Sequence, residues 1–372
     1  MTLNRSLLVC LLCSVPLRGA AQVTLGGQVS ADFLKSAPTQ SQRVFNAGRP
    51  TFGWEAELFA DGRITDNVAF LGTVRITDDE YVHIDYLAVR IADLTPLGLT
   101  IQAGEFDLPF GNLGERRYPR RNPFFHLPLI HEYRTALSDY LPGEPYLAGS
   151  KGRGNGMHLL DEGMYDVGAM VSGSYGILDY AFALSIGTVS ATGYGAQNIN
   201  SDLGKVFRLA VTPMTGLTLG AAYAWGAYLY EQSQPTPRNV DVNSYQQQAA
   251  EIDIEFSRGH FVMNGQAVYN TWPVPLADRD VNLSVFGYYL EGRYTLFPGF
   301  YLALRSSGLR FADALLQGVN QPWDYNVTEW EGAAGYFLDR DVLLKLVRTE
   351  TRIWGGTTPK DNLTALQLVV AF

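Results

Sequence analysis

LTALQLVVAF, residues 363–372, is the last stretch of the chain, and its apolar residues recur at every second position. An extended segment with this period has one continuous apolar face, which here carries Leu366, Leu368, Val370 and Phe372. In a soluble sheet, such an edge strand would place unpaired backbone groups beside an apolar face and would promote aggregation. In a bilayer, lipid covers the apolar face and the closure of a barrel pairs the edge. The stretch therefore predicts the final strand of a transmembrane β-barrel.

The same two-residue period recurs along most of the chain. Between Leu217 and Trp225, for example, larger apolar residues alternate with Thr, Gly and Ala, a pattern that a strand separates onto two faces and a helix would mix. These segments predict an all-β, antiparallel up-and-down barrel of about sixteen strands, an even number in the range of bacterial outer-membrane barrels. The phase of 80–92 and of 341–353 is ambiguous. The predicted strands are 23–34, 50–60, 66–77, 80–92, 98–106, 163–174, 177–189, 203–212, 217–230, 246–257, 260–271, 281–295, 299–310, 327–338, 341–353 and 361–372.

The connections between these strands alternate in length. Every second connection is brief, and most of the brief ones contain the Gly or Pro that a tight turn requires. The brief connections are 61–64, 95–98, 175–176, 213–216, 257–259, 297–299 and 338–340. The long ones are 35–49, 107–162, 190–202, 231–245, 272–280, 311–326 and 354–360, and only Asp78-Asp79 is brief among them. Outer-membrane barrels have short turns at one end and long loops at the other, so the alternation supports the barrel.

The amino-terminal segment has the features of a secretory signal peptide. Arg5 precedes a short apolar core over 7–16, and Gly19-Ala20-Ala21 offers small residues for cleavage. The core is shorter than the roughly 18 residues that a membrane-spanning helix needs. We therefore predict a signal peptide over 1–21. Both cysteines, Cys10 and Cys13, lie within it, so the mature chain is expected to contain no disulfide.

Composition excludes several classes of protein. Without 1–21, the chain has 26 basic against 37 acidic residues, and the net charge of −11 argues against a nucleic-acid partner. The mean hydropathy is −0.03, and no apolar run is long enough for a helical inner-membrane protein. Glycine (38), tyrosine (21) and phenylalanine (19) suit a barrel with aromatic girdles. With no break in composition, residues 22–372 are expected to form one barrel in the outer membrane of a Gram-negative bacterium.

Alternation also predicts which charged side chains line the interior. An Arg or Lys at the lipid midplane costs about 2–4 kcal/mol, so the charged positions of each strand should face an aqueous lumen. Acidic residues outnumber basic ones on this predicted wall. Its members are Glu55, Glu57, Arg75, Asp179, Arg208, Glu251, Asp253, Glu255, Glu291, Arg293, Arg305, Glu329, Glu331, Arg348, Glu350 and Arg352.

The longest connection, 107–162, is predicted to fold into the lumen. It includes the aromatic segment Pro123-Phe124-Phe125, which favours burial. It also carries the main positive cluster of the chain, which consists of Arg116, Arg117, Arg120, Arg121 and Arg134. Folded inward, these arginines would constrict the pore opposite the acidic wall and could bind carboxylate or phosphate groups as planar forks. The alternative is an exposed loop whose arginines bind lipopolysaccharide phosphates or a neighbouring subunit.

Two motifs resemble those of known proteins. Gly104-Glu105-Phe106-Asp107-Leu108-Pro109-Phe110-Gly111 resembles the Gly-Gln-Phe-Lys-x-Pro-Phe-Gly signature of the phosphate-selective porin O/P family. The resemblance implies a sixteen-stranded, trimeric porin whose third loop carries the constriction. Asp107 stands where that family often has Lys, and Lys205 and Lys345 are isolated, so a phosphate solute is not predicted. The terminal Phe372 resembles the sorting signal of bacterial barrel-assembly machinery.

The histidines and carboxylates of the chain do not have the spacing of a known metal site. No histidine pair has the spacing of a zinc motif such as HExxH, and Glu251, Asp253 and Glu255 would lie about 7 Å apart along a strand, too far for one ion without help from neighbouring strands. A hydrolase site that combines His126 or His131 with Ser138 and Asp139 is an alternative, since a triad is recognised only by its geometry.

The sequence as a whole predicts a porin, a water-filled channel for passive diffusion of small hydrophilic or ionic solutes, with anions as one candidate class. No cofactor, metal or catalytic residue is predicted. The expected partners are outer-membrane lipid, lipopolysaccharide, the solutes and, by resemblance, two further copies in a homotrimer. The alternatives are a plugged barrel that serves as a surface adhesin or assembly partner, and an outer-membrane hydrolase.

Overall fold

The computed structural model describes residues 22–36, 49–78, 82–95, 98–140, 143–193, 200–231, 237–356 and 360–372. The predicted signal peptide, 1–21, lies outside the described residues, as do parts of several predicted long loops. Within the described ranges, no helix has both the length and the apolar character needed to cross a membrane.

Sixteen antiparallel strands form a closed barrel, which confirms the predicted fold class. Every strand expected from the sequence is present. The first strand pairs with the last along Gln28 to Ser36, so the ring has no free edge. The barrel strands are β1 (Gln22–Ser36), β2 (Pro50–Arg63), β3 (Val68–Thr77), β4 (Val82–Ile91), β5 (Thr100–Asp107), β6 (Tyr165–Tyr175), β7 (Leu178–Ser185), β8 (Gly204–Met214), β9 (Leu217–Ala227), β10 (Gln246–Arg258), β11 (Phe261–Pro275), β12 (Asp280–Phe297), β13 (Phe300–Phe311), β16 (Asn326–Asp339), β17 (Val342–Trp354) and β18 (Lys360–Ala371).

The sequence reading missed one small sheet. Strands β14 (Asp313–Leu316) and β15 (Val319–Pro322) form a two-stranded hairpin within the connection between β13 and β16. Its turn residues, Gln317 and Gly318, both have positive φ, at 51° and 76°, as expected for the two-residue hairpin turn in which a glycine is favoured. The short turns of the barrel lie at one end, here called the short-turn end, and the opposite end is the long-loop end.

The alternation of burial along each strand separates the two faces. On β16, for example, Glu329 and Glu331 are each 1% exposed, whereas Trp330 and Tyr336 between and beyond them are exposed. The outer face of the barrel is largely apolar, and its exposed residues include Leu58, Val89, Phe207, Ile252, Leu290, Leu304, Leu346 and Leu368. An apolar exterior around a polar interior is the pattern of a membrane barrel.

The predicted facing of β17 was wrong. Lys345 is fully buried inside the barrel, so Arg348, Glu350 and Arg352 point outward instead of lining the lumen. The Arg348 and Glu350 side chains are 50% and 65% exposed, and the Arg352 guanidinium carbon lies 3.7 Å from the centroid of the Trp354 ring. The prediction that charged residues face the lumen failed on β17 because its first half is apolar on both faces except for Lys345, so the alternation does not fix which face is inward. Of its outward charges, Glu350 and Arg352 lie in the half of β17 toward the long-loop end. The cost of an exposed charge falls to about 0–1 kcal/mol near the membrane interface.

The connection between β5 and β6, residues 108–164 and here called the inner loop, folds into the lumen as predicted. It contains a 3-10 turn over Gly114–Arg117 and short helices over Leu129–Glu132 and Glu144–Ser150. The Leu129–Glu132 helix lies against β12, where Gly287 leaves no room for a side chain: a Cβ there would come within 2.6 Å of Leu159 and 2.8 Å of Ile130. The inner loop is therefore packed directly onto the barrel wall.

An apolar cluster holds the inner loop to that wall. From the loop come Leu129, Ile130, Tyr133, Leu137, Leu147, Leu159 and Leu160, and from the wall and the β13–β16 connection come Val268, Trp272, Leu283, Val285, Leu309, Phe311, Trp323 and Val327. Trp272 and Trp323 meet edge to face with ring centroids 5.8 Å apart. This packing fills the β11–β16 side of the lumen toward the long-loop end.

Candidate functional site

Two cavities remain on either side of the inner loop. The first, here called the β1–β4 cavity, has a volume of about 330 Å³ and lies between the loop and the inward residues of the first strands. The second, the β10–β12 cavity, also measures about 330 Å³ and opens near the short-turn end beside Glu255, Glu291 and Arg293. These cavities, with the loop between them, form the candidate site.

Buried cations fix the inner loop in place. The Lys345 ammonium group donates to the carbonyl oxygens of Pro119 (2.8 Å), Phe124 (2.9 Å) and Asn122 (3.2 Å). Arg305 donates to the His126 carbonyl at 2.7 Å. Its guanidinium carbon also lies 4.3 Å from the centroid of the Phe124 ring. The Lys345 bonds thus give partners to three carbonyl oxygens of the buried loop.

Asp324, in the β13–β16 connection, holds the outer part of the loop. Its carboxylate is fully buried and accepts from the backbone N–H groups of Ala136 at 2.8 Å and Gly152 at 2.9 Å, as well as from the Tyr133 hydroxyl at 3.4 Å. Burial raises the pKa of Asp324 to about 6, and these backbone donors limit the rise.

The glycines of the Gly104–Gly111 motif permit close backbone approaches. At Gly104, with φ of 129°, a Cβ would lie 2.2 Å from the Leu87 carbonyl oxygen. At Gly111, with φ of 75°, a Cβ would lie 2.2 Å from the amide of Gln266, and the Gly111 N–H donates to Glu251 at 3.1 Å. The motif thus directs the chain from the end of β5 into the lumen, where the Gly111–Glu251 hydrogen bond connects it to β10.

Two of the predicted loop arginines are neutralised by carboxylates. Arg116 forms an ion pair with Glu291 on β12 and donates to the Tyr289 hydroxyl at 2.9 Å. Arg117 pairs with Asp107 at 2.6 Å, and its guanidinium carbon lies 4.4 Å from the centroid of the Tyr165 ring. Asp107, which stands at the lysine position of the family signature, is thus engaged within the protein.

The other predicted loop arginines lie in three different places. Arg120 reaches the β16–β17 turn, where it meets Asp341 at 3.2 Å. Arg121 borders the β10–β12 cavity and is largely exposed, with Glu115 at 3.4 Å. Arg134 lines the β1–β4 cavity. The inward loop was predicted correctly, but its five arginines do not form one positive face across the pore.

The predicted wall residues on strands other than β17 lie on the inward face, and several form buried ion pairs. Arg208 contacts Asp253 through both terminal nitrogens of its guanidinium group, and it contacts Glu251 at 3.0 Å. Arg305 pairs with Glu331 and, at 3.4 Å, with Glu291. The inward positions are those of Glu55, Glu57, Arg75, Asp179, Arg208, Glu251, Asp253, Glu255, Glu291, Arg293, Arg305, Glu329 and Glu331.

The β1–β4 cavity has an excess of acidic residues. Six carboxylates line it, from Asp32, Glu55, Glu57, Asp85, Glu132 and Glu162, against three guanidinium groups, from Arg75, Arg117 and Arg134. Arg75 is paired with Asp85 at 2.8 Å, and Arg117 with Asp107 outside the cavity lining. By contrast, the β10–β12 cavity is balanced, with Glu115, Glu255 and Glu291 against Arg116, Arg121 and Arg293.

Sequence reasoning missed the acids Asp32, Asp85, Glu132 and Glu162 as lining residues. Asp32 is detectable from the alternation on β1, since it shares a face with Gln28 and Ser30. Asp85 follows a shift of register in the β3–β4 pairing, and Glu162 lies in the loop, so neither has a periodic signal.

Burial shifts the pKa of several loop groups. It raises the pKa of Glu162 to about 7, and the nearby Glu132 and Asp161 carboxylates add to the rise, whereas Arg134 and Arg75 oppose it. Burial lowers the pKa of His131 to about 4 and that of His158 to about 3. Both histidines are therefore neutral at pH 7, and Glu162 changes charge near that pH.

In the part of the chain that the structure describes, neither His126 nor His131 is hydrogen-bonded to Ser138 or Asp139. His126 contacts Glu132 at 3.2 Å, and His131 is buried beside the Asp161 carbonyl at 3.4 Å. Ser138 instead contacts Asp139 at 3.3 Å. Over the same ranges, no group of three or more His, Cys, Asp or Glu residues is arranged to hold a metal ion.

Comparison with known proteins identifies the fold only. No protein-family model and no curated protein matches the sequence. The structure is similar to the anion-selective porin from Comamonas acidovorans, with a TM-score of 0.64 at 9% identity over 95% of this chain and 100% of that chain. The outer membrane channel DcaP of Acinetobacter baumannii gives 0.61 at 10% identity over 95% and 98%. OmpT, an outer membrane protein of Vibrio cholerae, gives 0.59 at 10% identity over 96% and 100%.

Proposed function

We propose that this protein is an outer-membrane porin that lets small hydrophilic solutes diffuse through a water-filled passage. The observation that carries the proposal is the β1–β4 cavity, which lies inside a closed barrel and is lined by charged side chains. In such a barrel, the apolar exterior contacts lipid and the polar interior can surround water, so the barrel can provide an aqueous path through a bilayer. The similarity to solved porins of the same fold supports this reading.

In the proposed mechanism, the inner loop sets the size limit. It fills the β11–β16 side of the lumen through its apolar cluster, so solutes would pass beside β1–β4. Charged groups on both sides of this path would then select among ions by their sign, because a narrow, partly dehydrated passage strengthens electrostatic interactions. Rigid anchorage by Lys345 and Asp324 keeps the passage at a fixed width.

The proposed partners of the outer surface are lipid, lipopolysaccharide and further copies of the chain. The largely apolar exterior suits lipid, but the outer face of β17 and its neighbours carries Lys35, Arg348, Arg352 and Lys360 with Glu350. Its net charge of +3 contrasts with the acidic chain. Arginine forks bind phosphate well, so we assign this basic patch to lipopolysaccharide phosphates. A homotrimer is consistent with the fold and would use other outward faces.

The direct test is conductance in a planar bilayer. Purified protein refolded in detergent should insert and produce discrete current steps, while the heat-denatured sample should not. A protein that inserts, as shown by protease protection and β-sheet circular dichroism, but never conducts would contradict the proposal. It would instead favour the plugged barrel, in which the packing of the inner loop closes the lumen.

A further inference from the structure

The β1–β4 cavity contains buried hydrogen-bond acceptors that the protein leaves unused. Ser30 is 1% exposed and Gln367 is 3% exposed, and both line the cavity together with Asp32. Ser30 Oγ, Asp32 Oδ1 and Gln367 Oε1 have no hydrogen-bond partner among the described residues. A buried polar atom without a partner costs about 1–3 kcal/mol, so a ligand or water that donates to these atoms would be stabilising.

These acceptors lie close together on the barrel wall. Asp32 on β1 is directly opposite Gln367 on β18, which places their Cβ atoms about 5 Å apart. Ser30 is the preceding inward residue on β1, about 7 Å along the strand. A donor group with several N–H bonds, each about 2.9 Å long, can therefore contact neighbouring members of this set.

Negative charge surrounds the acceptors. Glu55 on β2 lies directly opposite Ser30. Gly53 lies opposite Asp32, and the position that its Cβ would occupy is 4.0 Å from Asp32 Oδ2 and 3.3 Å from Asp78 Oδ2. The buried Lys345 directs its ammonium group to three loop carbonyls. The Ser30 and Asp32 acceptors thus lie beside the carboxylates of Glu55 and Asp78.

We propose that the β1–β4 cavity is a binding subsite for organic cations that carry a primary ammonium group. Such a group has three N–H donors and one positive charge, which match the acceptors Ser30, Asp32 and Gln367 and the surrounding carboxylates. The inference rests on the proposed porin function for the access of solutes, and it specifies their class. It also assigns this channel a preference for cations, whereas a phosphate-selective channel would prefer anions.

The test is current block by 1,5-diaminopentane in planar bilayers, compared with the uncharged 1,5-pentanediol. The diamine should block and the diol should not, and a potassium chloride gradient should give the reversal potential of a cation-preferring channel. Asp32→Asn should raise the concentration of diamine needed for half block about tenfold, because it removes a charge-assisted bond but keeps the side-chain volume. Ser30→Ala should raise it about threefold.

Two control variants remove a carboxylate elsewhere. Glu255→Gln removes one beside the β10–β12 cavity, and it should alter ion preference slightly without a comparable change in diamine block. Glu350→Gln removes one from the outer face and should change neither. Equal effects of Asp32→Asn and Glu255→Gln on the block, or the reversal potential of an anion-preferring channel, would overturn the inference.

Calorimetric titration of the detergent-solubilised protein with 1,5-diaminopentane separates this inference from the porin proposal, since it needs no current. Binding that is lost in Asp32→Asn would support the subsite even if no conductance were found, and the porin proposal alone would then fail. A conducting channel that neither binds the diamine nor is blocked by it would overturn the subsite and leave the porin proposal standing.

Discussion

Single residues decide how the inner loop is held. The loop was expected to fold inward because of its length and its aromatic Pro123–Phe125 segment. One of its main anchors is instead Lys345 on the barrel wall, whose three carbonyl acceptors belong to the loop. The sequence could not reveal this arrangement because these acceptors are backbone atoms more than 200 positions away along the chain. The ion pair between Arg116 and Glu291 is likewise a product of the folded ring.

Replacement of Lys345 by Met should release the Pro119–Phe124 segment. Three buried carbonyls would lose a charged donor, and each such loss costs about 1–3 kcal/mol, so we expect a lower melting temperature and a noisier, larger unit conductance. Circular dichroism melts and single-channel recordings would measure both changes. Lys205, which pairs with Asp202 at 2.7 Å outside this contact, supplies the control, and Lys205→Met should leave the conductance unchanged. Identical recordings from the two variants would contradict the anchoring role.

The titration of Glu162 should make ion preference depend on pH. Because its pKa in the folded protein is about 7, the carboxyl is mostly neutral at pH 6 and mostly charged at pH 8. Cation preference should therefore increase over this interval, and reversal potentials at the two pH values would measure the increase. His158, 3.4 Å from Glu162, stays neutral in this range because its pKa is about 3.

Glu162→Gln should abolish most of that pH dependence, whereas Glu115→Gln, an exposed loop position, should retain it. A pH dependence that survives in Glu162→Gln would assign the titration to another group of the cavity.

At the scale of the strand, sequence periodicity predicted the number, order and direction of the barrel strands. It succeeded for β18 because Leu366, Leu368 and Val370 all face the same way. It failed for β17, where Leu343 and Leu344 make both faces apolar and only the burial of Lys345 reveals the phase. Near the end of a barrel strand, a charged residue such as Arg352 can lie on the outer face, so charge alone does not identify the inward face there.

The outward arginines of β17 lead to a test of the basic patch. The double variant Arg348→Gln with Arg352→Gln should lose most of the thermal stabilisation that added lipopolysaccharide gives the wild type, and its melting temperature in plain detergent should be nearly unchanged. Arg310→Gln, an outward arginine on β13 that donates to the Val327 carbonyl at 3.1 Å, serves as the matched control. If the double variant instead dissociates an oligomer on native gels, the patch contacts another subunit.

At the scale of the whole molecule, the ring is completed by the two ends of the described chain. Gly27 and Phe372 exchange two backbone hydrogen bonds, of 2.9 and 3.0 Å, and a Cβ at Gly27 would lie 2.6 Å from the Phe372 ring. The closed topology followed from the sequence because alternation and connection lengths are properties of every strand. The positions of the two cavities in the lumen did not, since they depend on which part of the wall the inner loop packs against.

Deletion of Phe372 should impair closure of the barrel while leaving the contacts of the inner loop available. We expect the folded fraction, measured by heat-modifiable migration on gels after refolding, to fall severalfold. Phe297→Ser, at another exposed aromatic position, should have a smaller effect. Equal folded fractions for the deletion and the wild type would show that closure does not need the terminal residue.

The apolar cluster inside the barrel gives this protein a thermodynamic property that a ring filled only with water would lack. Release of the inner loop would hydrate the leucine and tryptophan side chains of the cluster, and the exposure of apolar surface raises the heat capacity. The packing of the inner loop against the wall should consequently be most stable at moderate temperature, and its stability should decrease on cooling as well as on heating. The stability of the inner loop inside the barrel is thereby coupled to temperature.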